Sequence, residues 1–167
     1  MRWLAVVCAL LAWAVTACDG DSSGYCADDV TVTFAAVGEG EDVVGLTLGD
    51  VQLERLAGDV QGYRDGQVAT LLLYSAELQL TPPCGAREVV VVLDQTQVGL
   101  TAQLYDTGQE QPFHSASSQT STDLEPDQGN YQRWTLTWPG DSRARRLVLS
   151  NTGTTGVSTL IRAVIFR

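Results

Sequence analysis

Val89-Val90-Val91-Val92-Leu93, set between Glu88 and Asp94, is followed closely by Val98-Gly99-Leu100-Thr101-Ala102-Gln103-Leu104-Tyr105. The first run is wholly apolar, β-branched and too short for a typical helix, so it reads as a strand covered on both faces. The second alternates apolar and polar residues and stops at Asp106-Thr107-Gly108, a strand followed by a turn. The same grammar extends outward. Val30, Val32, Phe34 and Ala36 alternate with Thr31 and Thr33 in a half-buried strand. Leu46-Thr47-Leu48 and Val51-Gln52-Leu53 flank Gly49-Asp50, a hairpin turn. Val68 to Tyr74 is a strand, Leu78 to Leu80 begins another, and Pro82-Pro83 breaks the ladder. Tyr131 to Trp138 alternates, Leu147 to Leu149 is short and apolar, and Leu160 to Phe166 closes the chain. Residues 57–67 read as a loop, 114–130 as a long mobile loop and 151–156 as a polar turn. About nine or ten short strands with no helical period predict an all-β fold, a β-sandwich.

The N-terminus has a different character. Met1-Arg2 carries one positive charge, and the apolar stretch Trp3 to Val15 is shorter than the roughly 20 residues a transmembrane helix needs. It ends in acidic residues, Asp19 and Asp21, where a stop-transfer flank would be basic. Val15-Thr16-Ala17-Cys18 resembles a bacterial lipobox. The resemblance implies a lipoprotein signal peptide over 1–17, with Cys18 as the lipidated first residue of the mature protein. It implies a partner too, a membrane reached through the lipid anchor, and a location in the cell envelope facing outside the cytoplasm. Which membrane stays open, and so does an ordinary secretory signal with Cys18 left for a disulfide. Two or more acyl chains give stable anchoring, at about 0.8 kcal/mol per buried methylene. Residues 18–29 are polar and glycine-containing and read as a tether, and 30–167 as one domain.

The whole chain has 167 residues and a formal charge of −10. The mature part carries nine arginines, no lysine and all 20 acids. That balance argues against nucleic acid and against anionic membrane surfaces as partners, and it also keeps a protein soluble. Once Cys8 leaves with the signal and Cys18 is acylated, Cys26 and Cys84 remain. In an oxidising compartment this even pair is expected to form a disulfide, the alternative being two buried thiols. The 58-residue separation corresponds to about 4 kcal/mol in the chain-entropy picture. Two cysteines and the lone His114 fall short of a zinc site.

Four stretches together are similar to galactose-binding-like jelly rolls of exported bacterial surface proteins. They are Val30-Thr31-Val32-Thr33-Phe34, Leu78-Gln79-Leu80-Thr81-Pro82-Pro83, Leu100-Thr101-Ala102-Gln103-Leu104-Tyr105-Asp106-Thr107-Gly108, and Leu160-Ile161-Arg162-Ala163-Val164-Ile165-Phe166. The resemblance implies a jelly-roll sandwich and a class of ligand binders, and it carries over no binding residue.

Chemistry-bearing patterns are sparse. Gly20-Asp21-Ser22-Ser23-Gly24 matches G-x-S-x-G but lacks the preceding strand and following helix of a nucleophile elbow. Asp19, Asp21 and Ser23 open like a calcium loop, yet Val30 stands where the bidentate glutamate belongs. Asp28, Asp29, Asp42 and Asp50 leave room for a structural calcium; no other cofactor is expected. Glu77, Glu88, Asp94 and Asp106 would serve a glycoside hydrolase only if two of them faced one cleft. Trp134, Leu136 and Trp138 share a strand face, expected to be core, with Trp138 the better candidate for exposure because Pro139-Gly140 follows it. Tyr63 and Tyr131 lie in or beside loops and are candidates for a binding rim. Arg143, Arg145 and Arg146 form a basic cluster, suited to a carboxylate or sulfate or else to neighbouring acids. The expected function is that of a non-catalytic, membrane-anchored sandwich binding a carbohydrate or protein through loops at Tyr63, 114–130 and Trp138. The alternative is a structural or assembly lipoprotein with no small ligand, and a hydrolase ranks below both.

Overall fold

A computed structural model describes residues 24–94, 99–151 and 158–167. The signal segment, Cys18, most of G-x-S-x-G and most of the 151–156 turn lie outside the described residues. Eleven strands follow one another, with no helix among the described residues. They are β1 (Val30–Thr33), β2 (Thr47–Leu48), β3 (Val51–Asp65), β4 (Val68–Thr81), β5 (Glu88–Asp94), β6 (Thr101–Tyr105), β7 (His114–Ser117), β8 (Leu124–Pro126), β9 (Tyr131–Thr137), β10 (Arg146–Ser150) and β11 (Ser158–Phe166). All the strand pairs are antiparallel.

The hydrogen-bonded order is β7-β6-β10-β4-β11-β5-β9-β8. Strand β4 serves two layers. Its first half, Leu71 to Tyr74, pairs with β11, and its second half, Glu77 to Leu80, pairs with β10. Strand β3 follows it through both halves, with bulges around Ala57. The β3–β4 hairpin is therefore bent, and one continuous ladder folds over into a sandwich.

The bend has a local chemistry. Ser75 has a positive φ of 45°, the only non-glycine among the described residues to do so. Opposite it, Gly58 has φ 66°, and a Cβ there would lie 2.1 Å from the Ser75 carbonyl oxygen. Asn151 holds the groups the bend frees. Its Oδ1 accepts from the Ala76 N–H at 2.7 Å, its Nδ2 donates to the Leu73 carbonyl at 2.8 Å, and its own N–H reaches the Ala76 carbonyl at 3.1 Å. Residues 57–67, expected as a loop, are thus mostly strand, and the two expected pieces at 68–74 and 78–80 are one. Gly58 and the polar residues beside it hid the strand pattern, because they mark the corner.

The core lies between the layers. Val89, Val91 and Leu93, Trp134 and Leu136, and Ile161, Val164 and Phe166 face Leu78 and Leu80, Ala102 and Leu104, and Leu147 and Leu149. Complete burial of each leucine or valine contributes about 1.5–3 kcal/mol. Val90 and Val92 point away from this core yet are also buried, so the apolar run is covered on both faces as its sequence predicts. Cys26 and Cys84 form a disulfide with their Cα atoms 5.0 Å apart. Gly24 and Cys26 hydrogen-bond Gly85 through the backbone. Residues 24–26, expected as part of a tether over 18–29, are thus fastened to the domain.

Residues 114–130 are also more ordered than expected. Strand β7 extends β6, and β8 extends β9. Ser118 exchanges two bonds with the backbone of Leu100, one through its Oγ. The Ser/Thr/Gln/Asp composition reflects solvent-facing edge strands, short ones of the kind that end a sheet.

Candidate functional site

The back face of the β1–β11–β5–β9 layer, turned away from the core, carries an open groove of about 500 Å³. Its floor follows from strand register. Ala163 on β11, Val92 on β5 and Arg133 on β9 lie side by side, and Ile165 follows along β11. Neighbouring strands are about 4.8 Å apart, so this row is about 10 Å wide. Aliphatic side chains occupy the middle and polar ones the margins. Thr33 of β1 and Val68 and Ala69 of β4 complete one side.

The far wall is the turn between β8 and β9. Asp127 and Gln128 reach Arg162, by an ion pair at 3.5 Å and a hydrogen bond at 3.2 Å. The turn is closed by the Asp127 N–H donating to the Tyr131 carbonyl at 2.9 Å. Arg162 is thereby oriented and neutralised. Arg133 lines the groove without an ion pair among the described residues. The site offers planar guanidinium donors, an amide, a hydroxyl and a flat aliphatic floor. Such a set suits hydroxyl-bearing ligands with apolar C–H faces.

The residues singled out from sequence are not gathered there. Tyr131 opens β9 and Trp138 follows its last residue, seven residues on, about 23 Å away at 3.3 Å per residue. Tyr131 is buried, and its hydroxyl donates to Asp65 Oδ2 at 2.7 Å. Burial, then the Asp65 carboxylate, raises its pKa. It ties the β3–β4 hairpin tip to β9 and is no rim aromatic. Tyr63 is exposed on β3. Trp134 is fully buried, as expected of core. Trp138 is half-buried; its Nε1 donates to the Ser142 carbonyl at 2.8 Å, and its ring packs edge-on against Phe113 at 5.4 Å. It closes one end of the sandwich between β9 and β7 and offers no open platform.

Arg143, Arg145 and Arg146 do not act as one grip. The Arg146 guanidinium lies 4.0 Å from the Tyr105 ring centroid and bonds the Gln109 carbonyl. Arg145 bonds the Gly24 carbonyl at 3.0 Å and lies 3.9 Å from Asp106. Arg143 stacks on Tyr25 at 3.7 Å, and Arg87 sits 3.8 Å from the same ring centroid. Neither Tyr25 nor Arg87 stands out in the sequence. The disulfide is the one signal that could have placed them together, since Tyr25 precedes Cys26 and Arg87 follows Cys84 closely.

The four carboxylates considered for hydrolysis are dispersed. Glu88 and Asp94 stand at opposite ends of β5, about 20 Å apart. Glu88 pairs with Arg167, Asp106 accepts from the backbone of Thr107 and Arg143, and Glu77 accepts from Ser150. Asp29 and Asp42, considered for calcium, pair with Arg167 and Arg55. Among the described residues no three His, Cys, Asp or Glu side chains converge as a metal site would require.

No protein-family model and no curated protein matches the chain. Solved structures resemble it in fold. A variant of a family 29 carbohydrate binding module is 9% identical with a TM-score of 0.54, covering 84% of this chain and 92% of its own. Another structure of that family, also 9% identical, has a TM-score of 0.52 and covers 83% and 88%. The cleaved adhesin domain of Lys-gingipain is 11% identical with a TM-score of 0.54, covering 85% and 99%. At these identities the likeness is one of fold, an all-β sandwich.

Proposed function

We propose that the chain is a lipid-anchored, non-catalytic sandwich of the bacterial cell envelope that binds carbohydrate in the groove over β1, β11, β5 and β9. The observation that carries this reading is the groove itself: an aliphatic floor flanked by Arg133, Arg162, Gln128 and Thr33. Sandwiches that resemble it in fold include carbohydrate binding modules. The formal charge of −10 favours a neutral glycan over a polyanion. The anchor rests on Val15-Thr16-Ala17-Cys18 behind the apolar stretch. A glycan array probed with the mature protein and with Arg133→Ala tests the site. Binding should appear with the first and fall at least tenfold with the second; binding that Arg133→Ala leaves intact would place the site elsewhere. For the anchor, Cys18→Ala should leave the membrane fraction after a high-salt wash.

One observation favours a protein partner as the second reading. Leu56, Tyr63 and Tyr74 are exposed on the β3–β4 hairpin, and Val44 beside it is 56% exposed. A silent glycan array together with crosslinking from this hairpin to an envelope protein would select that reading.

A further inference from the structure

The acidity of the chain is unevenly spread. Arg87, Arg143, Arg145 and Arg167 gather around Tyr25 at the end where the described chain begins. Arg167 is held by Asp29 at 3.0 Å and Glu88 at 2.9 Å, and Arg145 lies 3.9 Å from Asp106. Arg87 and Arg143 make no ion pair among the described residues; each guanidinium rests on the Tyr25 ring. Tyr25, Cys26, Arg87 and Arg167 line an open recess of about 420 Å³. Two cations on one tyrosine repel each other, and an anion beside them relieves that repulsion.

The position of this end is constrained by the chain. Gly24 is fixed to Gly85 and Arg145, and the adjacent disulfide locks the exit point. Only residues 19–23 separate Gly24 from Cys18, a reach of at most about 21 Å at 3.5 Å per step. A lipid on Cys18 therefore keeps this end within about 21 Å of the bilayer surface.

We infer that the Arg87–Tyr25–Arg143 cluster is the membrane-facing surface of the domain and contacts the phosphate groups of anionic phospholipids. This rests on the anchoring proposed above. It orients the groove, since the lipid then fixes the domain by two points. An attachment of acyl chains plus basic side chains is stronger than either alone. The overall negative charge opposes approach of the remaining surface to the same membrane.

The test uses the lipidated mature protein in vesicles of phosphatidylcholine alone or with phosphatidylglycerol. Arginine labelling by phenylglyoxal is read residue by residue by mass spectrometry. Labelling of Arg87 and Arg143 should slow on the order of tenfold on the anionic vesicles only, with Arg55 unchanged. Equal labelling on both vesicles, with the protein still floating with them, overturns this inference and leaves the anchor standing. Failure to float with either vesicle overturns the anchor and this inference with it. Equal protection by inorganic phosphate without vesicles would make the cluster a soluble-anion site and overturn the membrane assignment.

Discussion

Asn151 does more for this fold than its place in a polar turn announces. One side chain satisfies the backbone on both sides of the Ser75 bend, and it is buried. Removing it strands a buried donor and a buried acceptor, each costing about 1–3 kcal/mol. Asn151→Ala should therefore lower stability by about 2–4 kcal/mol, read as the denaturant midpoint; a shift under about 0.5 kcal/mol would contradict this account. Tyr131 makes the domain sensitive to alkali. Its raised pKa means that the unfolded phenol ionises first, near pH 10. The stabilisation is complete below that value and is lost as pH climbs above it. Tyr131→Phe should remove this part of the alkaline loss, measured as the change in melting temperature between pH 8 and pH 11. At this scale the sequence disclosed the Cys26–Cys84 pair, on the expectation that Cys8 leaves with a signal peptide and Cys18 carries the lipid. It did not disclose Asn151 or Tyr25, whose roles depend on residues 62 or more positions away.

Short edge strands explain why the segment 114–130 deceived. Edge strands in water carry polar side chains, and β7 and β8 have only four and three residues. Deleting 116–128 would bare the edges of β6 and β9 and remove the Ser118 bonds to Leu100. That deletion should destabilise or aggregate the domain, followed by light scattering and thermal melting. A deletion variant as stable and monomeric as the parent would show β7 and β8 to be dispensable. Trp138→Ala should cost about 2–3 kcal/mol, less than a fully buried tryptophan, because its ring is half-buried against Phe113. Loss of glycan binding with unchanged stability would instead restore it as a platform. Strands β5, β6, β9, β10 and β11 were legible because their apolar residues keep a strict pattern. The corner at Gly58 and Ser75 was not, since a bend erases period two for a few residues.

At the scale of the whole molecule, one bent hairpin unites two layers, and one disulfide fastens the segment before β1 to the β4–β5 connection. Reduction of Cys26–Cys84, or Cys84→Ser, should lower stability by about 4 kcal/mol on the loop-entropy estimate, seen as a fall in melting temperature. An all-β sandwich was legible from strand patterning alone. The groove was not, because Thr33, Val68, Val92, Arg133 and Ala163 lie on five strands, and only their register makes them neighbours. The loops and aromatic residues that a sequence reader favours are spread over opposite ends. The central claim, carbohydrate recognition in that groove, is tested most directly by chemical-shift mapping of the labelled protein titrated with the strongest array glycan. The account predicts saturable shifts at Val92, Gln128, Arg133, Arg162 and Ala163, and none at Trp138. Shifts confined to Tyr63, Tyr74 and Leu56, or no saturable shift at all, would contradict it.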